Sequence, residues 1–325
     1  MNLFFHPRIL GLFTLAFGLV GCSGDATKSD AVGSNPPDVL KPITETHIHL
    51  WDIERPIPWP NESFGSLYRT VLPADWDAVA RPLGITSTHI IEASNVADDN
   101  AWVLATTKGN AHYRSFSPQL EIGSATFEAD LDALAADSRV VGIRGFLWSP
   151  TLDVSDTQVA HCQLLADRGM TLDIISRGDL NPKALVAQLA DAVPTLRIII
   201  DHLGGAKGVD PDPAWVADMA LLASCPNIHM KFSSFFDMHN PNGGEAEPWD
   251  APTDLASYQP HFDVLMEKFG ASRLIYGSNW PVVEQGGSIE DHIAVAEAFL
   301  AQFPDGIRDQ VMSTNALDFY SRHMP

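Results

Sequence analysis

The stretch that decides the fold is LRIIIDHLGGAKG, residues 196–208. An apolar run, Ile198 to Ile200, ends in Asp201 and His202 and then in two glycines. Such a run reads as a strand buried on both faces, because a half-exposed strand would alternate apolar and polar residues. Glycines after it suit two architectures: the phosphate-holding turn of an open doubly wound sheet, or the loop above a barrel strand. DHLGGAKG (201–208) matches neither the dinucleotide fingerprint nor the P-loop spacing. Placing a polar pair at the C-terminal end of a buried strand is what a parallel barrel does.

Working outward, short β-rich runs alternate with longer segments of helical period. The other strand candidates are ITETHIHL (43–50), STHIIEAS (87–94), YRSFSPQLEIG (113–123), RVVGIRGFL (139–147), MTLDIIS (170–176), NIHMKFS (227–233) and RLIYGSNW (273–280). Between them lie TFEADLDALAADS, SDTQVAHCQLLADRG, NPKALVAQLADAV, DPAWVADMALLAS and SYQPHFDVLMEKFG, with SIEDHIAVAEAFLAQF and DGIRDQVMSTNALDFY after the last strand. Several open on Ser, Asn or Asp at an N-cap position and end at Gly. An open sheet normally carries fewer strands, so the expected fold class is α/β, a single-domain (β/α)8 TIM barrel over residues 42–325.

The first residues stand apart. MNLFFHPRILGLFTLAFGLVGC has one basic residue, Arg8, and an apolar run from Ile9 to Val20, short of the ~20 residues a membrane-spanning helix needs. Leu19-Val20-Gly21-Cys22 resembles the bacterial lipobox. The resemblance implies a lipoprotein signal peptide over 1–21, lipid attachment at Cys22, and a place outside the cytoplasm. Ser23 implies outer-membrane sorting if the cell is Gram-negative. Residues 22–41 are rich in Ser, Gly, Asp and Pro and read as a disordered tether. Cys162 and Cys225 are either bridged or two buried thiols, the second being the expectation for small apolar side chains. A formal net charge of −21 argues against nucleic acid and an anionic membrane face as partners, leaving the lipid anchor as the membrane contact.

In a barrel the working residues sit at the C-terminal ends of strands. Those ends supply Glu45, His47 and His49, then Glu92, Arg144, Asp173, Asp201, His202, Lys231 and Asn279. Strand residues alternate faces, so Glu45, His47 and His49 point the same way. His47 and His49, ~6–7 Å apart along one face, converge with His202 on one ion or one substrate atom.

ETHIHLWD, GIRG, DHLGG, MKFS and YGSNWPV, in that order, resemble the amidohydrolase-related family of metal-dependent-hydrolase barrels. Within it they are similar to the lactonase-type branch that acts on 2-pyrone-4,6-dicarboxylate and sugar-acid lactones. The likeness runs from Ile43 to the end of the chain. It implies that His47, His49 and His202 line the active centre and that Arg144 holds an anionic or carbonyl oxygen. It also implies an aspartate base on the last strand, as GSDWP. Here the sequence departs: that position is Asn279, and the residue two before the first histidine is Glu45 rather than Asp.

An amide cannot be tuned to take a proton from water as a carboxylate can. Three repairs are open. Another acid serves as base, Glu45 by preference, with Asp201, Glu92 and Glu284 as the others. Alternatively one divalent metal, Zn²⁺, sits on His47, His49 and His202 and lowers the pKa of its water to ~7. In the third, no water is activated, and the protein is a decarboxylase or lyase of the same superfamily or a non-catalytic surface binding protein. Two long connections, 51–69 and 234–255, are expected to wall the pocket. With the strand ends they supply substrate-binding candidates Trp51, Arg55, Trp59, Glu92, His239, Trp249 and Trp280. Aromatics with guanidinium groups suit a small, oxygen-rich substrate carrying a carboxylate. Arg144 and Lys231 are expected to polarise its carbonyl. The function expected is hydrolysis of a small cyclic ester, a sugar-acid or dicarboxylic lactone.

Overall fold

The computed structural model describes residues 41–94, 96–147, 151–175, 182–243 and 247–322. The expected signal peptide, Cys22 and all but the last residue of the tether lie outside the described residues. Among those described, no helix is long and apolar enough to cross a membrane.

All eight expected strands form: β1 Ile43–Ile48, β2 Ile85–Ile91, β3 Tyr113–Ser117, β4 Gly142–Gly145, β5 Thr171–Ile174, β6 Arg197–Ile200, β7 Ile228–Ser233 and β8 Leu274–Gly277. They pair in parallel as two arcs, β1-β2-β3 and β4-β5-β6-β7-β8. Short bridges join the arcs at both seams, Ile48 to Trp280 on one side and Phe116 to Val140 and Gln119 to Arg144 on the other. This is the (β/α)8 barrel. Gly277 permits the first seam, since a Cβ there would stand 2.9 Å from the Cβ of His47.

One helix follows each strand: α1 Pro73–Ala80, α2 Ala97–Thr106, α3 Phe127–Ala135, α4 Asp156–Asp167, α5 Lys183–Ala192, α6 Pro213–Ala223, α7 Gln259–Phe269 and α8 Ile289–Leu300. Their starts are written in the sequence. Ser155 and Gln158 form a capping box on α4, Asp212 caps α6 ahead of Pro213, and Ser288 caps α8. α1 and α2 escape a periodicity reading because each is short and carries few buried apolar positions. The C-terminal segment is not the single helix its pattern suggests. A turn at Ile307–Asp309 runs into a π-helical turn at Gln310–Thr314 and a last helix at Asn315–Phe319.

That last helix matters to the interior. Ala316, Phe319 and Tyr320 form a small apolar cluster with Val141, Ile199 and Ile275. Branched aliphatics usually fill a barrel of this class. Here the strands instead bury Glu45, His47, His89, Ser117, Arg144, Asp173 and Lys231. Cys162 and Cys225 are free and buried, so the thiol expectation holds and no bridge forms between them.

Three strands stop earlier than their sequences suggest. His49, His202 and Asn279 lie in the turns just beyond β1, β6 and β8. His202 and Asn279 have φ of 55° and 67°, and Ser234 beyond β7 has 60°. A left-handed residue cannot continue a strand, so pairing ends there and the side chain is turned toward the barrel mouth.

Candidate active site

A cavity of about 730 Å³ opens at the C-terminal ends of the strands, of the size that takes a small organic molecule. His49, Glu92, Arg144, His202 and Asn279 line it, with Trp59 on one wall. His47 is enclosed among them, and Glu45 and Lys231 lie fully enclosed below. The strand-end candidates therefore gather in one place, in two tiers.

The imidazoles cluster tightly. The rings of His47 and His202 lie 4.3 Å apart, and those of His47 and His49 lie 5.0 Å apart. Burial pushes all three pKa values down, helped for His47 by the Lys231 ammonium and for His202 by His47; His49 falls to about 3. They are neutral rings at pH 7, with lone pairs available. His49 Nδ1 lies 3.1 Å from the Ile91 carbonyl, which can only accept, so Nδ1 carries the proton and Nε2 is left as acceptor.

Asp201 is the acid at the centre. Its Oδ1 is 3.4 Å from His47 Nδ1 and from Lys231 Nζ, and its Oδ2 is 3.4 Å from Arg144. Burial alone would raise its pKa, but the Lys231 and Arg144 cations outweigh burial and hold it below the carboxylate range. The donors that converge within 4.8 Å of one another are His47, Asp201 and His202. This group differs from the expected three-histidine set in one member: Asp201 is in it, and His49, whose Nδ1 meets the Ile91 carbonyl, stands beside it. Both ring nitrogens of His47 and Oδ1 of Asp201 are buried without a hydrogen-bond partner. Neutral imidazoles and a carboxylate oxygen that accepts no hydrogen bond suit a divalent cation, so the residues fit such an ion.

Two expected catalytic groups are placed differently from their assignment. Glu45 does not face the cavity. Its Oε1 accepts the N–H of His47 (2.7 Å) and of Ser278 (2.8 Å), and its Oε2 lies 3.0 Å from the same Ser278 nitrogen. Burial raises its pKa to about 7 in spite of those donors. It pins the turn that carries Asn279 to β1 and is not among the residues that line the cavity. Lys231 likewise lies beneath the floor, donating to Asp173 (2.9 Å) and to the Thr46 carbonyl (3.1 Å). It sets the charge of Asp201 rather than touching a substrate carbonyl.

Of the acids expected as base, Glu92 is the one that lines the cavity. Burial raises its pKa and Arg144, 3.4 Å away, pulls it back. Glu284, on the other hand, pairs with Arg69 and accepts from Trp280 Nε1 at 2.7 Å.

Of the aromatic and basic wall candidates, Trp59 is the one that lines the cavity. Trp51 is enclosed and donates to the Arg69 carbonyl; Trp249 donates to the Phe236 carbonyl at 3.1 Å; Trp280 is enclosed beside Trp76. His239 is tied to the Ser257 carbonyl (3.2 Å), and Arg55 pairs with Asp99 and stacks over Trp102. These five are engaged with the protein and are not among the residues that line the cavity. The cavity is also lined by Ser234, Asp237, Lys183 and Lys207, which the sequence reading passed over. The Ser-x-x-Asp spacing of 234–237 immediately after a strand is the signal for the first two.

Comparisons with known proteins bear on the fold and the family. A family profile described as amidohydrolase matches residues 44–322. An L-fucono-1,5-lactonase of Burkholderia ambifaria is 28% identical over 295 residues, covering 86% of this chain and 96% of that protein. An L-rhamnono-gamma-lactonase of Scheffersomyces stipitis is 29% identical over 191 residues, 51% of this chain and 54% of that one. The crystal structure of a zinc-bound amidohydrolase from Burkholderia multivorans superposes with a TM-score of 0.71 at 18% identity, covering 86% of this chain and 99% of that chain.

Proposed function

This chain belongs to the amidohydrolase family, in its lactonase-type branch, and we propose that it opens the lactone of a sugar acid by water attack at the barrel mouth. The observation that carries this reading is the set of complementary hydrogen-bonding atoms around one cavity. Arg144 Nε–H is a buried donor and Asn279 Oδ1 a buried acceptor, both without a protein partner, and Glu92 lies beside them.

Arg144 polarises the lactone carbonyl. Its terminal nitrogens are held by Glu92 and Asp201, so the guanidinium is fixed before substrate arrives and Nε–H is left for the oxygen. Asn279 Oδ1 accepts one hydrogen bond from the attacking water and orients it, His49 Nε2 accepts one from a hydroxyl of the substrate, and the water's second proton is left for Glu92. Glu92 takes the water proton as the oxygen bonds to the carbonyl carbon. It then returns that proton to the ring oxygen as the carbon–oxygen bond breaks, giving a hydroxy acid. A carboxyl whose pKa is raised toward the working pH is suited to both halves of that exchange. His47, Asp201 and His202 would hold a divalent ion, which when bound supplies Lewis-acid polarisation of the carbonyl.

The walls suit a sugar ring. Trp59, edge-on to His49 at 6.1 Å, offers an aromatic surface for the ring C–H groups. Ser94 and Asn240 offer hydroxyl-binding atoms around it, and Lys183 and Lys207 suit the carboxylate released.

The test is acid release by the full chain from a panel of 1,5- and 1,4-lactones of sugar acids, with CO₂ and bound metal followed in parallel. Turnover with one acid per lactone and no CO₂ is expected. Glu92→Gln should lower kcat by about 10²–10⁴-fold with the melting temperature little changed. Divalent metal bound by wild type should be lost in His202→Ala. Release of CO₂ would turn the reading to decarboxylation, and thermal stabilisation by lactones without turnover would make this a binding protein.

A further inference from the structure

We infer that Asp237, acting through Ser234, is a positioning residue that fixes the Asn279 amide with its oxygen toward the cavity, making it a hydrogen-bond acceptor for the hydroxyl or water at the reacting centre. The inference rests on the lactonase reading for the identity of that O–H group, but its geometry stands on the protein alone.

The hydrogen bonds allow one arrangement. Ser234 Oγ lies 2.8 Å from Asp237 Oδ2. A carboxylate oxygen only accepts, so the hydroxyl proton is committed to Asp237. Toward Asn279 the same Oγ can therefore only accept, and it takes the Nδ2–H at 2.9 Å. This leaves Oδ1 of Asn279 buried and without a protein partner, in a residue that lines the cavity together with Ser234 and Asp237. A reversed amide would set Oδ1 against the lone pairs of Ser234 Oγ and lose the hydrogen bond.

The backbone supports the same pose. Ser234 and Asn279 both hold left-handed φ, 60° and 67°, at the ends of neighbouring strands. Such residues cost about 1–3 kcal/mol each and persist where surrounding contacts over-determine them. Asn is among the few residues that tolerate this region, so the position suits an amide. The result is an acceptor that cannot itself become protonated. It orients an O–H group at any pH and leaves proton transfer to Glu92.

The experiment is a double-mutant cycle on the full chain between Asp237→Ala and Asn279→Gly, glycine being chosen because φ is positive there. Side-chain amide spectra of ¹⁵N-asparagine-labelled protein provide a second readout. Asp237→Ala frees the Ser234 hydroxyl and should lower kcat about five- to tenfold with KM little changed, the size of one hydrogen bond. In the Asn279→Gly background it should change kcat less than twofold. Asp237→Asn, whose amide oxygen can still accept the Ser234 proton, should recover most of the loss. In the spectra, the amide pair that disappears in Asn279→Gly should exchange slowly in wild type and faster in Asp237→Ala. Losses in kcat that multiply between the two sites, or an Asn279 amide unchanged by Asp237→Ala, would overturn the inference. If wild type opens no lactone, the lactonase reading fails, and the amide spectra still decide the relay.

Discussion

The barrel interior holds two polar layers a few ångströms apart, and they are built on opposite terms. In the lower layer each named group is satisfied. Lys231 donates to Asp173 and Thr46; Asp173 also accepts from Ser117 (2.8 Å) and from Tyr320. The His89 ring spans Ser115 (2.8 Å) and Ser117 (3.1 Å) and stacks on Tyr320 at 3.6 Å. In the upper layer His47, Asp201, Arg144 and Asn279 each keep a buried polar atom without a hydrogen bond from the protein. Leaving such an atom unmade costs about 1–3 kcal/mol, whereas buried polar groups are ordinarily paired. The contrast separates groups that hold the barrel together from groups kept for a ligand, in one continuous run of side chains joined by Asp201 and Lys231.

The sharpest way to break this comparison is to remove one group from each layer. Lys231→Met leaves Asp173 and Asp201 buried without their shared cation and should cost about 3–5 kcal/mol of stability. His49→Asn keeps a donor for the Ile91 carbonyl and should cost less than about 1 kcal/mol while abolishing most turnover. Urea unfolding of the two variants measures both. Equal losses would mean the layers are not energetically distinct.

A smaller effect comes from pH, and its sign differs between groups. His49 and His89, one in each layer, have folded pKa values lowered to about 3, against ~6.5 unfolded. Their stability is present above pH ~6.5 and is lost as pH falls, because the unfolded chain takes up protons first. Glu45 runs the other way. Its pKa is raised to about 7, so its contribution is present below the unfolded value of ~4.5 and is lost as pH rises to 7, about 3 kcal/mol across the window. In wild type it offsets part of the acid loss from the histidines. Glu45→Gln removes the offset, and its melting temperature should fall more steeply than wild type between pH 7 and 5. Parallel curves would show that the Glu45 carboxyl does not titrate in that range.

These layers also explain what could be read from sequence. The eight strands were legible because most are short runs dominated by apolar and β-branched residues, and DHLGG excluded a phosphate loop by spacing alone. The gathering of His49, Glu92, Arg144, His202 and Asn279 followed from their places at strand ends. What sequence could not reveal was which neighbour claims each polar atom. Glu45 shares a strand face with His47, yet two backbone N–H groups engage its carboxylate. His49 repeats the His47 pattern, yet the Ile91 carbonyl turns its ring, and Asp201 enters the donor cluster instead. Asp237 acts through a side-chain bond that only the fold of the loop after β7 creates.

The same division applies to the tryptophans, and it sets the smallest of the expected effects. Trp51 and Trp280 are enclosed with their indole N–H groups donating to Arg69 and Glu284, so they belong with the satisfied layer. Trp59 is half-buried on the cavity wall, packed against Trp51 at 5.0 Å and Phe64 at 5.9 Å. Its outer surface is where a sugar ring would be desolvated. Trp59→Ala should therefore raise KM about tenfold, the equivalent of about 1.4 kcal/mol of ground-state contact, with kcat within about twofold of wild type. Trp280→Ala, by contrast, should lower stability by about 3–5 kcal/mol, as removal of an enclosed aromatic does. Steady-state kinetics and melting curves of the pair distinguish the cases. A Trp59→Ala variant that unfolds as readily as Trp280→Ala, with KM unchanged, would place Trp59 among the supports of the wall and leave the sugar ring to be held by the hydroxyl-binding residues alone.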